Sequence, residues 1–89
     1  MIIIIFSFSI AKPQNMQATL ENLKQKATAH GGSVDGDETS GIIKQSGVEG
    51  RYTVNENAIE IVVLKKPSVL LPNRVIESEI RKIFREVAV

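Results

Sequence analysis

Few residues in this chain are of a type that does chemistry, and their spacing limits what that chemistry could be. There is one histidine, His30, and no cysteine. A lone imidazole with no matching serine or cysteine pattern makes no triad, and it cannot build a multi-histidine metal site. Without cysteine there is no disulfide framework, no thiolate zinc site and no cysteine nucleophile. His30 falls where the first helix should end, and a cation there suits the helix dipole, so its expected role is structural or solvent-facing. Asp35, Asp37 and Glu38 form an acidic cluster of the kind that attracts a hard cation such as calcium. The EF-hand spacing fails, because the twelfth position counted from Asp35 is Ser46, where that loop needs glutamate. The cluster therefore reads as a solvated turn, and no metal or cofactor is expected.

The most distinctive hexapeptide is Ser46-Gly47-Val48-Glu49-Gly50-Arg51. It has neither the spacing nor the following helix of a phosphate-binding loop. It reads as a hairpin, with a sharper alternative in which Glu49 and Arg51 sit at a pocket mouth. Together with Tyr52, Asp35 and His30, those two side chains are what acid–base catalysis would have to use. Lys65, Lys66, Arg74, Arg81 and Arg85 put positive charge near the last helix, and Glu77 and Glu86 neutralise part of it. A solvated helix face is the expectation there. With 11 basic and 10 acidic residues the net charge is +1, so nothing demands nucleic acid or an anionic membrane. Aromatics at 4% are too few for a base-stacking platform.

The elements that must position these residues follow from periodicity. Eighty-nine residues, 43% of them hydrophobic, make one domain over 1–89 with a single two-layer core. Met1 to Ala11 is the most apolar stretch, too short to span a bilayer and lacking a basic region ahead of it. It reads as a buried strand with Ile2, Ile4, Phe6, Phe8 and Ile10 on one face. A cytoplasmic location is expected on this ground and from the lack of cysteine. Met16, Leu20, Leu23 and Ala27 recur at helical spacing, giving a helix from about Pro13 to the Gly31-Gly32 stop. From Ser33 to Lys65, Gly, Asp and Asn punctuate a meander of short strands: Thr39 to Ser46, Glu49 to Val54, Ala58 to Leu64, and a further one if residues 33–37 pair rather than turn. Ile76, Ile80, Ile83 and Val87 then mark a helix from about Pro72 to Val87.

The order is β-α-β-β-β-β-α, or one meander strand fewer. It predicts an α+β fold: an antiparallel sheet with both helices packed on the face that holds Ile59, Ile61 and Val63. Leu20, Leu23, Ile76, Ile80, Ile83 and Val87 are expected to be buried there. The other face should carry Ile3, Ile5, Val62 and Leu64 as an exposed patch in need of a partner.

The hexapeptide at Ser46–Arg51, the alternating strands around Asn55 and the run Ile76-Glu77-Ser78-Glu79-Ile80-Arg81 resemble the polyhydroxyalkanoic acid system proteins, small bacterial proteins grouped by association with polyester granules. The resemblance spans roughly Gly36 to Phe84 and implies a granule surface as partner, with no catalytic residue to carry over. The element order also looks like small TATA-binding-like or helix-grip folds, where a curved sheet grips a helix. The expected function is a non-catalytic binding or interaction module, its partner a second copy of the chain, a granule surface or an apolar ligand. The alternatives are a small enzyme-like ligand-binding domain and a weak nucleic-acid binder.

Overall fold

Alternation along the strands and the two helical stripes fold as a single layer of helices on a single sheet. A computed structural model describes residues 4–89. In chain order it holds β1 (Phe6–Ala11), α1 (Met16–Ala29), β2 (Ser33–Gly36), β3 (Ser40–Gln45), β4 (Val48–Val54), β5 (Ala58–Lys65) and α2 (Asn73–Val87). The sheet order is β1-β5-β4-β3-β2 and every neighbouring pair is antiparallel. The short segment Ser33–Gly36 does pair, with β3, and closes one edge. β1 closes the other edge, with Phe6, Phe8 and Ile10 opposite Val63, Ile61 and Ile59 of β5. β1 and β2 thus run the same way at opposite edges, and α1 crosses the sheet to join them.

β5 is the apolar centre. Ile59, Ile61 and Val63 are at most 1% exposed, and Met16, Leu20, Leu23, Ile76, Phe84 and Val87 of the helices bury against them. Burying one such side chain is worth about 1.5–3 kcal/mol. The helix ends are tied together. Asn15 caps α1 by accepting from the Ala18 amide at 3.0 Å, so the helix begins at Met16 rather than at Pro13. Thr19, the buried polar residue of the core, donates to the Asn15 carbonyl and accepts from the Val89 amide at 3.1 Å. Asn22 donates to the Val87 carbonyl, so the last residues of the chain are held to the first turns of α1. At the other end of α1, Gly31 takes φ 79°, and the Gly32 amide returns to the Ala27 carbonyl at 2.8 Å.

Three expectations need correction or qualification. Ile80 and Ile83 are only half-buried, because the sheet and α2 part beneath them; Phe84 takes the deep position instead. The first strand is assigned from Phe6, although the Ile5 amide already donates to Val63 at 2.9 Å. Ile3 and its two predecessors lie outside the described residues. The expected patch on the open face is weaker than the alternation implied, since Ile5, Val62 and Leu64 are half-buried.

Packing depth gives a graded expectation for stability. Ile61→Ala should cost about 2–5 kcal/mol in urea unfolding, as for a fully packed aliphatic side chain. Ile80→Ala should cost less than half as much as Ile61→Ala. Equal losses at the two sites would show that α2 seats more deeply than described.

Candidate functional site

Two cross-strand rows on the helix-covered face decide where space is left. In the first row Ile61, Tyr52, Gly41 and Gly36 lie side by side across β5, β4, β3 and β2. Tyr52 lays its ring over the two glycines: a Cβ on Gly41 would come within 2.6 Å of the ring, and one on Gly36 within 2.8 Å of the phenol oxygen. The phenol donates to the Asp37 carbonyl at 2.7 Å. In the next row Val63, Gly50, Ile43 and Val34 lie side by side. Gly50 is buried, yet a Cβ there would meet only the Val62 carbonyl, at 3.4 Å. No side chain fills the position above it.

The result is a cleft of about 240 Å³ between the sheet and the helices. Its floor is Ile43, Val48, Gly50 and Ile61, and its walls are Leu23 and Ala27 of α1 and Ile76, Ile80, Ile83 and Phe84 of α2. Ile80 and Ile83 are half-buried because they face this space. The mouth is formed by the Ser46-Gly47 hairpin and the connection from β5 to α2. Ser46 and Gly47 both have positive φ, 53° and 81°, as a two-residue hairpin loop requires. Gly47 also packs on Pro67, where a Cβ would come within 2.8 Å of the proline ring. Lys66 pins the connection by donating to the Leu71 carbonyl and to Asn73 Oδ1, each at 3.1 Å. Pro67, Leu71 and Val75 therefore border the opening, and Val69 and Leu70 beyond it are 88% and 87% exposed.

Polar groups are confined to the rim: Gln45, Ser46 and Glu79. Among the described residues no hydrogen bond or ion pair joins two of them, and no group of three or more His, Cys, Asp or Glu side chains is placed to hold a metal ion. Glu49 and Arg51 do not line this cleft. Alternation sends Val48 and Gly50 into it and turns Glu49 and Arg51 to the opposite face. There Glu49 pairs with Lys44 at 3.6 Å and, with Lys65, borders a shallow polar hollow beside Gly31 and Gly32. Arg51 stands between Ile42 and Val62. Lys44, Arg51 and Lys65 on that face are balanced by Asp35, Glu49 and Glu60, so it offers a phosphate backbone no net field.

The remaining sequence candidates sit in a turn, at a helix end and in ion pairs. Asp37 Oδ1 accepts from the Thr39 hydroxyl and from the Thr39 and Ser40 amides, and these bonds hold its carboxyl below the ordinary range. His30 closes α1 through its backbone amide. Arg81 pairs with Glu77 at 2.8 Å, and Lys26 pairs with Glu86 across the two helices, so the charges at the last helix are partly spent. The cleft itself was missed in the sequence; its one signal is a glycine at the core-facing parity of a central strand. No protein-family model matches the chain, and no match was found among curated proteins or solved structures. The site and fold thus define it as a two-layer α+β domain with an apolar cleft under its second helix.

Tyr52 gives an alkaline signature. Burial, with Asp37 and Asp35 nearby, pushes its phenol up to about 12. In the unfolded chain it titrates near 10. Its contribution to stability is therefore complete below about pH 10 and is lost between about pH 10 and pH 12, as the unfolded state gives up the proton first. The chain has one tyrosine, so phenolate absorbance reads it directly. A folded-state midpoint near 10 would contradict the buried hydrogen bond. Tyr52→Phe should remove this step and lower stability at neutral pH by about 1 kcal/mol.

Proposed function

We propose that this protein is a non-catalytic binding module whose ligand is a small apolar molecule seated beneath α2. The observation that carries this reading is the cleft above Gly50, about 240 Å³ and lined almost throughout by aliphatic side chains and Phe84. An apolar cavity of about 150 Å³ suffices to hold a benzene ring. A space of this size takes a ring system or a short acyl chain, with the apolar body against Ile43, Ile61 and Ile83 and any polar end toward Gln45, Ser46 and Glu79. Burial of the ligand's apolar surface at about 25 cal/mol per Å² supplies the affinity. The few polar groups at the mouth orient it, as in small-molecule sites generally. Val75 at the border of the mouth, with Val69 and Leu70 exposed in the turn beyond it, offers apolar contact to such a ligand on its way in.

Indole and a medium-chain alcohol, added separately at millimolar concentration, test this. Amide and methyl resonances of Ile43, Gly50, Ile80 and Ile83 should shift together and saturably. Gly50→Ala should fold at least as well as the parent, with a gain of about 0.4–1 kcal/mol from the stiffer unfolded chain. Gly50→Leu should occupy the cleft and abolish the shifts while the circular dichroism stays native. No response to either probe in the parent chain, or equal responses in the Gly50→Leu variant, would remove the cleft from consideration.

A further inference from the structure

The two edges of the sheet are treated differently. β2 has four residues and carries an exposed aspartate, Asp35, the kind of charge that blunts an edge. β1 has six residues, Phe-Ser-Phe-Ser-Ile-Ala, with no charge, proline or bulge to discourage a further strand. Its side chains toward the helices are also left incomplete. Phe6, Phe8 and Ile10 are half-buried, whereas their β5 partners Val63, Ile61 and Ile59 are sealed, and Ile4 just ahead of the strand is 57% exposed. Phe6 and Phe8 stack at 5.9 Å, forming an aromatic row along the edge.

α2 runs above this edge. Arg81 lies over the Phe8 ring at 5.0 Å and holds Glu77, one turn back, at 2.8 Å. A negative and a positive side chain therefore sit in line on the rim of the aromatic row. A two-fold axis normal to the sheet would set β1 antiparallel to its copy and bring the two α2 helices side by side in opposite directions. The order Glu77, Arg81 on one copy then meets Arg81, Glu77 on the other, so each charge faces its complement.

We propose that the β1 edge pairs with the β1 edge of a second copy, joining two sheets into one and covering Phe6 and Phe8 with the same residues of the partner. The recognition is isologous: backbone groups of the free edge supply the register, the aromatic row supplies apolar area, and the Glu77–Arg81 pattern fixes the antiparallel sense. The cleft above Gly50 lies at the β3–β4 side and stays open in this arrangement, so the pairing stands apart from ligand binding.

Light scattering coupled to size exclusion at high micromolar concentration tests the pairing. The parent chain should run at twice its 9.8 kDa mass. Ser7 and Ser9 are exposed on the edge strand, so Ser7→Lys with Ser9→Lys should leave the circular dichroism unchanged. That double variant should weaken association on the order of a hundredfold, because lysines meet lysines across the axis. Glu77→Lys should weaken it about tenfold, and adding Arg81→Glu should restore it by reversing both signs. A parent chain of monomer mass would overturn the proposal, whether or not it captures extended peptides. So would a dimer that survives both lysines, since its copies would meet elsewhere.

Discussion

Everything in this fold leans on the burial of Ile59, Ile61 and Val63 under two helices. β5 is the last strand in the chain, yet it sits between the first strand and the meander. That placement lets one strand supply the apolar floor for both α1 and α2. It also forces β1 out to an edge and sends α1 across the sheet to reach β2. Because the helices form a single layer, only one sheet face can be dry, and the composition follows. The other face carries Ser7, Ser9, Glu60, Arg51, Thr53 and Lys44 around a few half-buried aliphatics.

On the dry face, glycines decide how the gap between sheet and helices is filled. Gly36 and Gly41 are vacancies that Tyr52 occupies, with its phenol satisfied by the Asp37 carbonyl. Aromatic rings laid over strand glycines bury the exposed backbone and pin the register. Gly50 is a vacancy one row along that nothing occupies. The same residue type thus serves as a socket in one row and as an opening in the next. The difference lies in the cross-strand neighbour: Gly41 has Tyr52 beside it, while Gly50 has Ile43 and Val63, which are too short to close the space.

The mouth of the cleft is held by local chemistry that has nothing to do with the core. A two-residue hairpin with both φ angles positive brings Gly47 against Pro67, and Lys66 fastens the far side of the same connection to Leu71 and Asn73. The opening is therefore framed on two sides by fixed backbone, while Val69 and Leu70 between these anchors stand in solvent. The core can stay rigid while the rim carries the exposed apolar groups.

The sequence by itself determined the elements apart from β2, their order and which face of each is dry. Those features are local: alternation in Ala58 to Leu64, the four-three-four stripe of each helix, Gly31 at a helix end and Asn55 at a turn each act over a few residues. It also marked a turn at Asp37 and Glu38, where Asp37 accepts from the Thr39 and Ser40 amides, although Asp35 of the same acidic cluster lies in β2. What only the tertiary structure decided is which strands are neighbours, and with that every property that depends on neighbours. Tyr52 reads as one more strand residue until β3 and β2 place Gly41 and Gly36 beside it. The hexapeptide reads as a hairpin, and its alternative reading as a pocket mouth puts Glu49 and Arg51 at the opening, but period two sends them to one face and Gly50 to the other. Ile80 falls on the same stripe as Ile76 and Phe84, and the stripe cannot say that the floor beneath it is missing a side chain. A cleft is a shortage of atoms shared by four elements, and no short stretch of chain encodes a shortage that the other three could have filled.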